Sequence, residues 1–222
     1  MLTKSQVKLI KSLHRKKGRD GTGLCLVEGS KLIELAHGLV DFAFTEEDSI
    51  DFGNLVTTVT PQMEAAVVRI PTWSEKDVLS KNIVLILDGV QDPGNVGTIL
   101  RLCLGFDASI IFIETADPTS PKVIRASAGA VFQVPWAHMK EHDLYELFQK
   151  ENRAIYRIEK RKGSRSLTKM EIKPPVFLIA GSEGQGIRLN VESPSIHIEH
   201  DKKLESLNVA VAISIVLFYV RG

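Results

Sequence analysis

A chain of 222 residues, 44% of them apolar and 25% charged, can bury a core without disulfide staples, as one large domain or as a small one followed by a medium one. Its formal net charge of +1 excludes a globally basic nucleic-acid binder, so any basic surface has to be local. Cys25 and Cys103 stand far apart in apolar surroundings without metal-ligand spacing, which reads as two reduced thiols in a reducing cytoplasm. The start Met-Leu-Thr-Lys-Ser-Gln-Val-Lys lacks the pattern of a signal peptide. The most apolar stretch, Val209 to Val220, is shorter than the roughly 18 residues a membrane span requires, so it reads as a buried helix and no membrane partner is expected.

In chain order, residues 3–17 are predicted as one helix whose basic face carries Lys4, Lys8, Lys11 and Arg15 at steps of four, three and four, while Val7, Ile10 and Leu13 turn inward. Lys16, Lys17 and Arg19 extend this single-sign stripe, which is either a solvated helix face or a phosphate-binding surface. Gly21-Thr22-Gly23 reads as a turn, Leu24–Val27 as a strand, and Ser30 as the N-cap of a helix through Ala36 ended by Gly38. Short strands are expected near Phe42–Thr45, Leu55–Thr60 and Ala65–Ile70, closing a small αβ unit over residues 1–75. A polar linker is expected around residues 71–80.

The stretch from Ile83 to Asp107 organises the remainder of the chain. Ile83–Leu87 is a continuous apolar run, as in a strand covered on both faces of a parallel sheet. Asp92-Pro93-Gly94-Asn95 then turns the chain into a helix expected to begin at or just after Asn95, with Val96, Ile99, Leu100 and Cys103 on its apolar face and Arg101 six residues beyond Asn95. A strand end followed by a helix N-terminus is where open α/β sheets place ligands. Ser109–Ile113 reads as the next strand. A helix is expected from Asp117-Pro118 through Ala130, with Lys122 and Arg125 on one face. Val131–Val134 reads as a strand, Glu141–Asn152 as a helix, Ala154–Ile158 as a strand, and Lys160-Arg161-Lys162-Gly163-Ser164-Arg165 as a mobile basic loop, of a composition that often reaches over a substrate but is more often simply solvated.

Val176–Ala180 is the next buried strand and runs into Gly181-Ser182-Glu183-Gly184-Gln185-Gly186, where the glycines allow close backbone approach and Glu183 projects at the strand end. This spacing is neither a dinucleotide fingerprint nor a Walker loop. Ser195–Ile198 is a short strand, and Glu205-Ser206-Leu207-Asn208 opens the last helix. There Ser206 serves as N-cap, and Asn208, an amide expected to be buried, needs a backbone or ligand partner. His138 and His142 could share a helix face, and His197 and His200 are near in sequence, but neither pair has a third ligand, so no metal is expected.

Three stretches taken together resemble the three motifs of the SpoU (TrmH-type) RNA 2'-O-ribose methyltransferases of the SPOUT superfamily. They are Asp92-Pro-x-Asn95-x-Gly97 running with Arg101 to Phe106, Gly181-x-Glu183-Gly184-x-Gly186, and Ser206-Leu207-Asn208-Val209-x-Val211. Ser120-Pro-Lys122-Val-Ile-Arg125-Ala-Ser127-Ala-Gly129 resembles that family's intermotif helix, and the region before residue 75 resembles its ribosomal-protein-like (L30e-like) RNA-binding extension. The resemblance implies an α/β fold in which a parallel-sheet domain over residues 80–222 threads its C-terminal segment through a deep trefoil knot, preceded by the small αβ domain. It also implies a cytoplasmic homodimer and S-adenosylmethionine as cofactor. By motif match, Gly181, Ile198 and Leu207 would contact the cofactor, and Asn95, Arg101, Glu183, Ser206 and Asn208 would form the catalytic surface. Lys4, Lys8, Lys11, Arg15, Arg19, Lys122 and Arg125 would bind RNA.

The implied reaction is 2'-O-methylation of ribose in structured RNA, ribosomal RNA ahead of transfer RNA. A second reading is a catalytically silent dimeric RNA-binding or ribosome-assembly protein. It is motivated by Ile198-Glu199-His200-Asp201-Lys202, which stands where the family usually reads Ile-Pro-Met-x-Gly. Asp107 likewise replaces a glycine that usually ends the first helix, in the left-handed conformation that Asp tolerates.

Overall fold

The structure, a computed structural model, describes residues 1–58 and 62–221. The chain forms two compact units, residues 1–72 with 117–133, and residues 73–116 with 134–222.

The first unit opens with α1 (Lys4–Leu13) and α2 (Lys16–Thr22) in place of one helix. Thr3 closes a capping box with Gln6 at the start of α1. The break falls at Arg15, whose backbone is extended (φ −107°, ψ 143°), and Arg19 on α2 is only 3% exposed. Its guanidinium donates to the Leu13 carbonyl at the end of α1 (2.7 Å) and to Asp117 Oδ2 (2.5 Å), satisfying a carbonyl left open by the helix end. Three strands, β1 (Leu24–Glu28), β2 (Val40–Thr45) and β3 (Glu64–Arg69), form an antiparallel sheet in the order β1-β3-β2. The first helix after β1, α3, spans Ser30–Leu35 with Gly29 rather than Ser30 as its N-cap residue.

Of the strand expected over Leu55–Thr60, Leu55 instead closes α4 (Phe52–Leu55) and residues 56–58 belong to no strand. Residues 59 and 60 lie outside the described residues. Ile10, Leu13, Leu26, Phe44, Phe52, Leu55 and Val67 pack one core, each worth about 1.5–3 kcal/mol on full burial. The segment 117–133, which the motif pattern places inside the second domain, belongs to this unit. Besides the Arg19–Asp117 pair, Arg125 donates to Thr57 Oγ1 (2.8 Å) and lies 3.4 Å from Glu28 Oε1.

In the second unit the expected linker contains a helix, α5 (Glu75–Leu79), capped by Ser74, with Val78 fully buried. β4 (Ile83–Asp88) leads into α6 (Pro93–Gly105), then β5 (Ala108–Ile113). The chain next passes through the first unit, where α7 (Pro121–Ala126) is capped by Ser120 and shorter than expected. Residues 130–132 form a 3₁₀ turn instead of the strand expected at Val131–Val134, and the strand comes later, as β6 (Trp136–His138). α8 (Glu141–Lys150), β7 (Ala154–Ile158), β8 (Arg165–Ser166), β9 (Val176–Gly181), β10 (Ser195–His197) and α9 (Val209–Arg221) complete the unit.

Its seven strands run β6-β5-β4-β9-β7-β10-β8, every pairing parallel. β4, β5 and β9 are apolar apart from Asp88 at the end of β4 and Ser109 in β5, and almost wholly buried, as central strands covered on both faces must be. β10 lies between β7 and β8, pairing Ile196 with both Ile158 and Arg165, so the connection 159–164 crosses over it. α9 is not buried all round: Phe218 is 73% exposed and Val211 46%, with Ile215 and Tyr219 beside them. Asp107 has φ 53°, the left-handed conformation expected of it.

Candidate active site and cofactor cavity

The site is assembled at the carboxyl ends of β4, β9, β7 and β10. Asp92, not Asn95, caps α6: its Oδ1 accepts from the Asn95 backbone N–H at 2.8 Å, and Pro93 occupies the first helical position. Asn95 is therefore inside the first turn with its side chain released from capping. Its Nδ2 donates to Glu183 Oε1 at 2.6 Å, and its Oδ1 accepts from Asn208 Nδ2 at 2.9 Å. Asn208 Nδ2 also lies 3.4 Å from Glu183 Oε1, which closes a triangle across 113 residues of sequence.

The buried amide expected at Asn208 is in fact an exposed cap. Its Oδ1 accepts from Ala210 and Val211 N–H (3.0 and 3.3 Å), so Asn208 and not Ser206 starts α9. These contacts fix both amide orientations. Asn208 uses its oxygen on the helix and its nitrogen on Asn95 and Glu183, while Asn95 uses its oxygen on Asn208 and its nitrogen on Glu183.

Glu183, Gly181, Ser206, Ile198 and Leu207 line a cavity of about 660 Å³, a volume typical of small-molecule sites, together with Ile158, Ala180, Ile187, Ile196 and Val209. Its walls combine aliphatic surface with the carboxylates of Glu159, Glu183 and Glu205. That mixture fits a ligand with a flat apolar base, hydroxyl and ammonium donors and a sulfonium, so the residues present suit S-adenosylmethionine. Gly181 is required by close packing of the loop on itself, since a Cβ there would lie 2.1 Å from the Gly186 carbonyl. In the unusual 199–202 stretch, His200 donates through Nδ1 to the Ile198 carbonyl (2.8 Å) and also lines the cavity.

Arg101 is exposed on α6 and makes no hydrogen bond or ion pair among the described residues, which leaves its fork of donors available to an anion. Ser206 is likewise exposed at the cavity edge. Lys4, Lys8, Lys11, Arg15 and Lys122 are exposed, as an RNA-facing role requires. Arg19 and Arg125 are not available in that way. Arg19 is buried against Asp117 and Leu13, and Arg125 is held by Glu28 and Thr57, so both work inside the first unit. His138 sits on β6 and His142 on α8 rather than on one helix face. No cluster of three or more metal-binding side chains occurs among the described residues.

Motif reading missed one cluster. Asp88 ends β4 at 1% exposure, and its Oδ2 accepts from the backbone N–H groups of Arg188 (2.5 Å) and Leu189 (2.8 Å). Its Oδ1 accepts from the Arg188 guanidinium (3.0 and 3.2 Å), which also pairs with Glu114 at 2.9 Å. These hydrogen bonds from Arg188 to Asp88 and Glu114 raise the Arg188 pKa above its ordinary value. Gly89, at φ 71°, lies under this guanidinium, where a Cβ would come within 3.0 Å of it. The cluster ties the turn that carries Asn95 to the loop that carries Glu183. A lone acid at the end of an all-apolar strand was the signal available for it.

The model of the family described as "SpoU rRNA Methylase family" matches residues 82–218, and that of the "MRM3-like substrate binding domain" matches residues 4–41. A 23S rRNA (guanosine(2553)-2'-O)-methyltransferase, RlmP, of Bacillus subtilis (strain 168) is 31% identical over 98% of this chain and 96% of its own. Among solved structures, a TrmH-family RNA methyltransferase described as putative, from Porphyromonas gingivalis, is 31% identical with a TM-score of 0.88, covering 100% of this chain and 98% of that one. An AdoMet-bound rRNA methyltransferase from Sinorhizobium meliloti is 26% identical with a TM-score of 0.86, over 99% and 95% of the two chains. With its second and third motifs lining one cavity, the first joined to them through Asn95, and the family model covering more than half of its length, the chain belongs to the SpoU rRNA methylase family.

Proposed function

We propose that the protein transfers the methyl group of S-adenosylmethionine to the 2'-hydroxyl of a ribose in structured RNA, with ribosomal RNA as the substrate class. The observation that carries this reading is the Asn95–Glu183–Asn208 triangle, whose Glu183 lines the 660 Å³ cavity that Gly181, Ile198 and Leu207 also line. Bound there, the cofactor supplies an electrophilic methyl group. The chain's own residues align and activate the hydroxyl. Arg101 clamps the neighbouring phosphate and stabilises charge developing on the ribose oxygen. A guanidinium keeps its proton far above neutral pH, so the hydroxyl proton goes elsewhere, to phosphate or water. Glu183, pinned through one oxygen, directs its other oxygen to the ribose, and Ser206 and Asn208 hold the loop edge. The requirement for a 2'-hydroxyl selects RNA over DNA.

Residues 1–72 act as the RNA substrate-binding domain, a role supported by the match over residues 4–41 and the exposed α1 face. The position of β10 between β7 and β8, under the 159–164 connection, supports a deep trefoil knot, and the apolar outer face of α9 supports a homodimer of identical copies. We place the protein in the cytoplasm with its RNA; no described helix is long and apolar enough to cross a membrane. The test is incubation with tritiated S-adenosylmethionine and undermethylated ribosomal RNA. Label in alkali-resistant dinucleotides supports ribose methylation, and label in free bases excludes it. A folded protein that binds RNA and neither binds the cofactor nor transfers label favours the silent RNA-binding reading motivated by residues 199–202.

A further inference from the structure

We propose that the strap crossing β10, residues 159–165, is a phosphate-binding surface that holds the backbone of the substrate RNA beside the cofactor cavity. The proposal rests on the RNA reading above and adds to it a second contact surface, separate from the face of α1. Lys160 through Lys169 contain five cations and no acid, in a chain whose 28 basic and 27 acidic residues balance overall. Lys160, Arg161, Lys162 and Arg165 are all exposed.

The nearest acid cannot neutralise them. Glu159 Oε1 already accepts from Arg157 Nε (2.7 Å) and Ser195 Oγ (2.9 Å) and lies 3.2 Å from Arg161 Nε. Burial alone would raise the Glu159 carboxyl, and the hydrogen bonds from Arg157 and Ser195 more than reverse that, holding it below its ordinary value. Arg161 is spent on this pair and on the Ser193 carbonyl (3.3 Å). Lys160 and Lys162 have no acidic partner among the described residues, and Arg165 makes only a 3.9 Å contact to Met170 Sδ.

The strap is also fixed in place. Glu159 N–H donates to the Ile196 carbonyl (3.0 Å), Ser164 N–H to the Arg161 carbonyl (3.0 Å), and Ser164 Oγ pairs with His197 Nδ1 (2.9 Å). A charged turn held this way loses little conformational freedom when it takes an anion. Its location completes the argument, because Lys160 lines the cavity shared with Glu183 and Ser206, so a ribose presented there brings its flanking phosphates within reach of the strap.

The test compares wild type with the Lys162→Ala, Arg165→Ala double variant in binding unmodified, in-vitro-transcribed 23S ribosomal RNA across a salt titration. Neither residue lines the cavity. The expected result is about tenfold weaker binding and a slope of log affinity against log salt shallower by roughly 1.5, the loss of two phosphate contacts. The KM for RNA rises, kcat is retained, calorimetric affinity for S-adenosylmethionine is that of wild type, and Lys162→Arg with Arg165→Lys restores the slope. Wild-type affinity and slope in the alanine variant overturn the proposal. Failure of the wild-type protein to bind RNA at all overturns the RNA reading, and the strap with it.

Discussion

Asn95 shows how one side chain's duty depends on its neighbour. Because Asp92 satisfies the helix N-terminus, the Asn95 amide can bridge Glu183 and Asn208. Asn95→Asp replaces the donor to Glu183 with a second carboxylate about as close as the first contact. We expect a loss in kcat on the order of a hundredfold, as for a displaced reacting group, with cofactor affinity within a few-fold of wild type because Asn95 does not line the cavity. Single-turnover methyl transfer with parallel calorimetry checks this, and near-normal turnover would mean that the triangle is ornamental to the reaction. Arg101→Lys keeps the charge and removes the fork, so it should lose most turnover; retention of turnover would refute bidentate phosphate clamping. That Asn95, Glu183 and Asn208 belong together was legible from motif spacing. Their bonding was not, since whether Asn95 or Asp92 caps α6, and whether Asn208 is buried or capping, depends on helix starts that shift by two or three residues without changing the pattern.

At the scale of elements, the Asp88–Arg188–Glu114 cluster joins two loops that the sequence separates by 100 residues. Arg188→Met leaves Asp88 its two backbone donors and frees the guanidinium end of the tie. The loop carrying Glu183 then samples more conformations, and cofactor affinity should fall about tenfold with a smaller change in thermal stability; calorimetry and thermal melts separate the two.

In the first unit, burial would raise the carboxyl of Asp117, and hydrogen bonds from Arg19 and Thr119 more than offset it, so its pKa is lowered. Glu28 is lowered the same way by Thr57 and Thr58, with Arg125 adding to it. A carboxyl whose folded pKa is depressed contributes stability above its unfolded pKa and loses it as pH falls through the folded value. Acid titration should therefore melt this unit below the ordinary carboxylate range, and the Asp117→Ala variant should lack that component. It should also cost about 3–5 kcal/mol, by stranding the buried Arg19 charge.

Elements with strong local patterns, the apolar runs of β4, β5 and β9 and the hydrophobic start of α9, were readable in advance. The break between α1 and α2, the membership of 117–133 in the first unit and the 3₁₀ turn at 130–132 were not. Each depends on a partner remote in sequence or on tertiary packing that overrides a strand-like run such as Val131–Val134.

For the whole molecule, the outer face of α9 is the feature that composition mistook. Val209–Val220 was expected to be a buried helix, yet Val211, Ile215, Phe218 and Tyr219 are exposed on it, with Leu104 of α6 also exposed. In the homodimer proposed above a second copy of the chain covers this face, and on that proposal Phe218→Glu with Val211→Glu should shift the protein from dimer to monomer in sedimentation equilibrium. A wild-type monomer at micromolar concentration would remove the dimer from the account.

The most direct test of ribose methylation combines one protein, one cofactor and one RNA. Wild-type protein, tritiated S-adenosylmethionine and undermethylated ribosomal RNA should yield label confined to alkali-resistant dinucleotides, and the Asn95→Asp variant should yield almost none while still binding the cofactor. Label appearing in bases, or in equal amount with the variant, would contradict the site described for Asn95, Glu183 and Asn208.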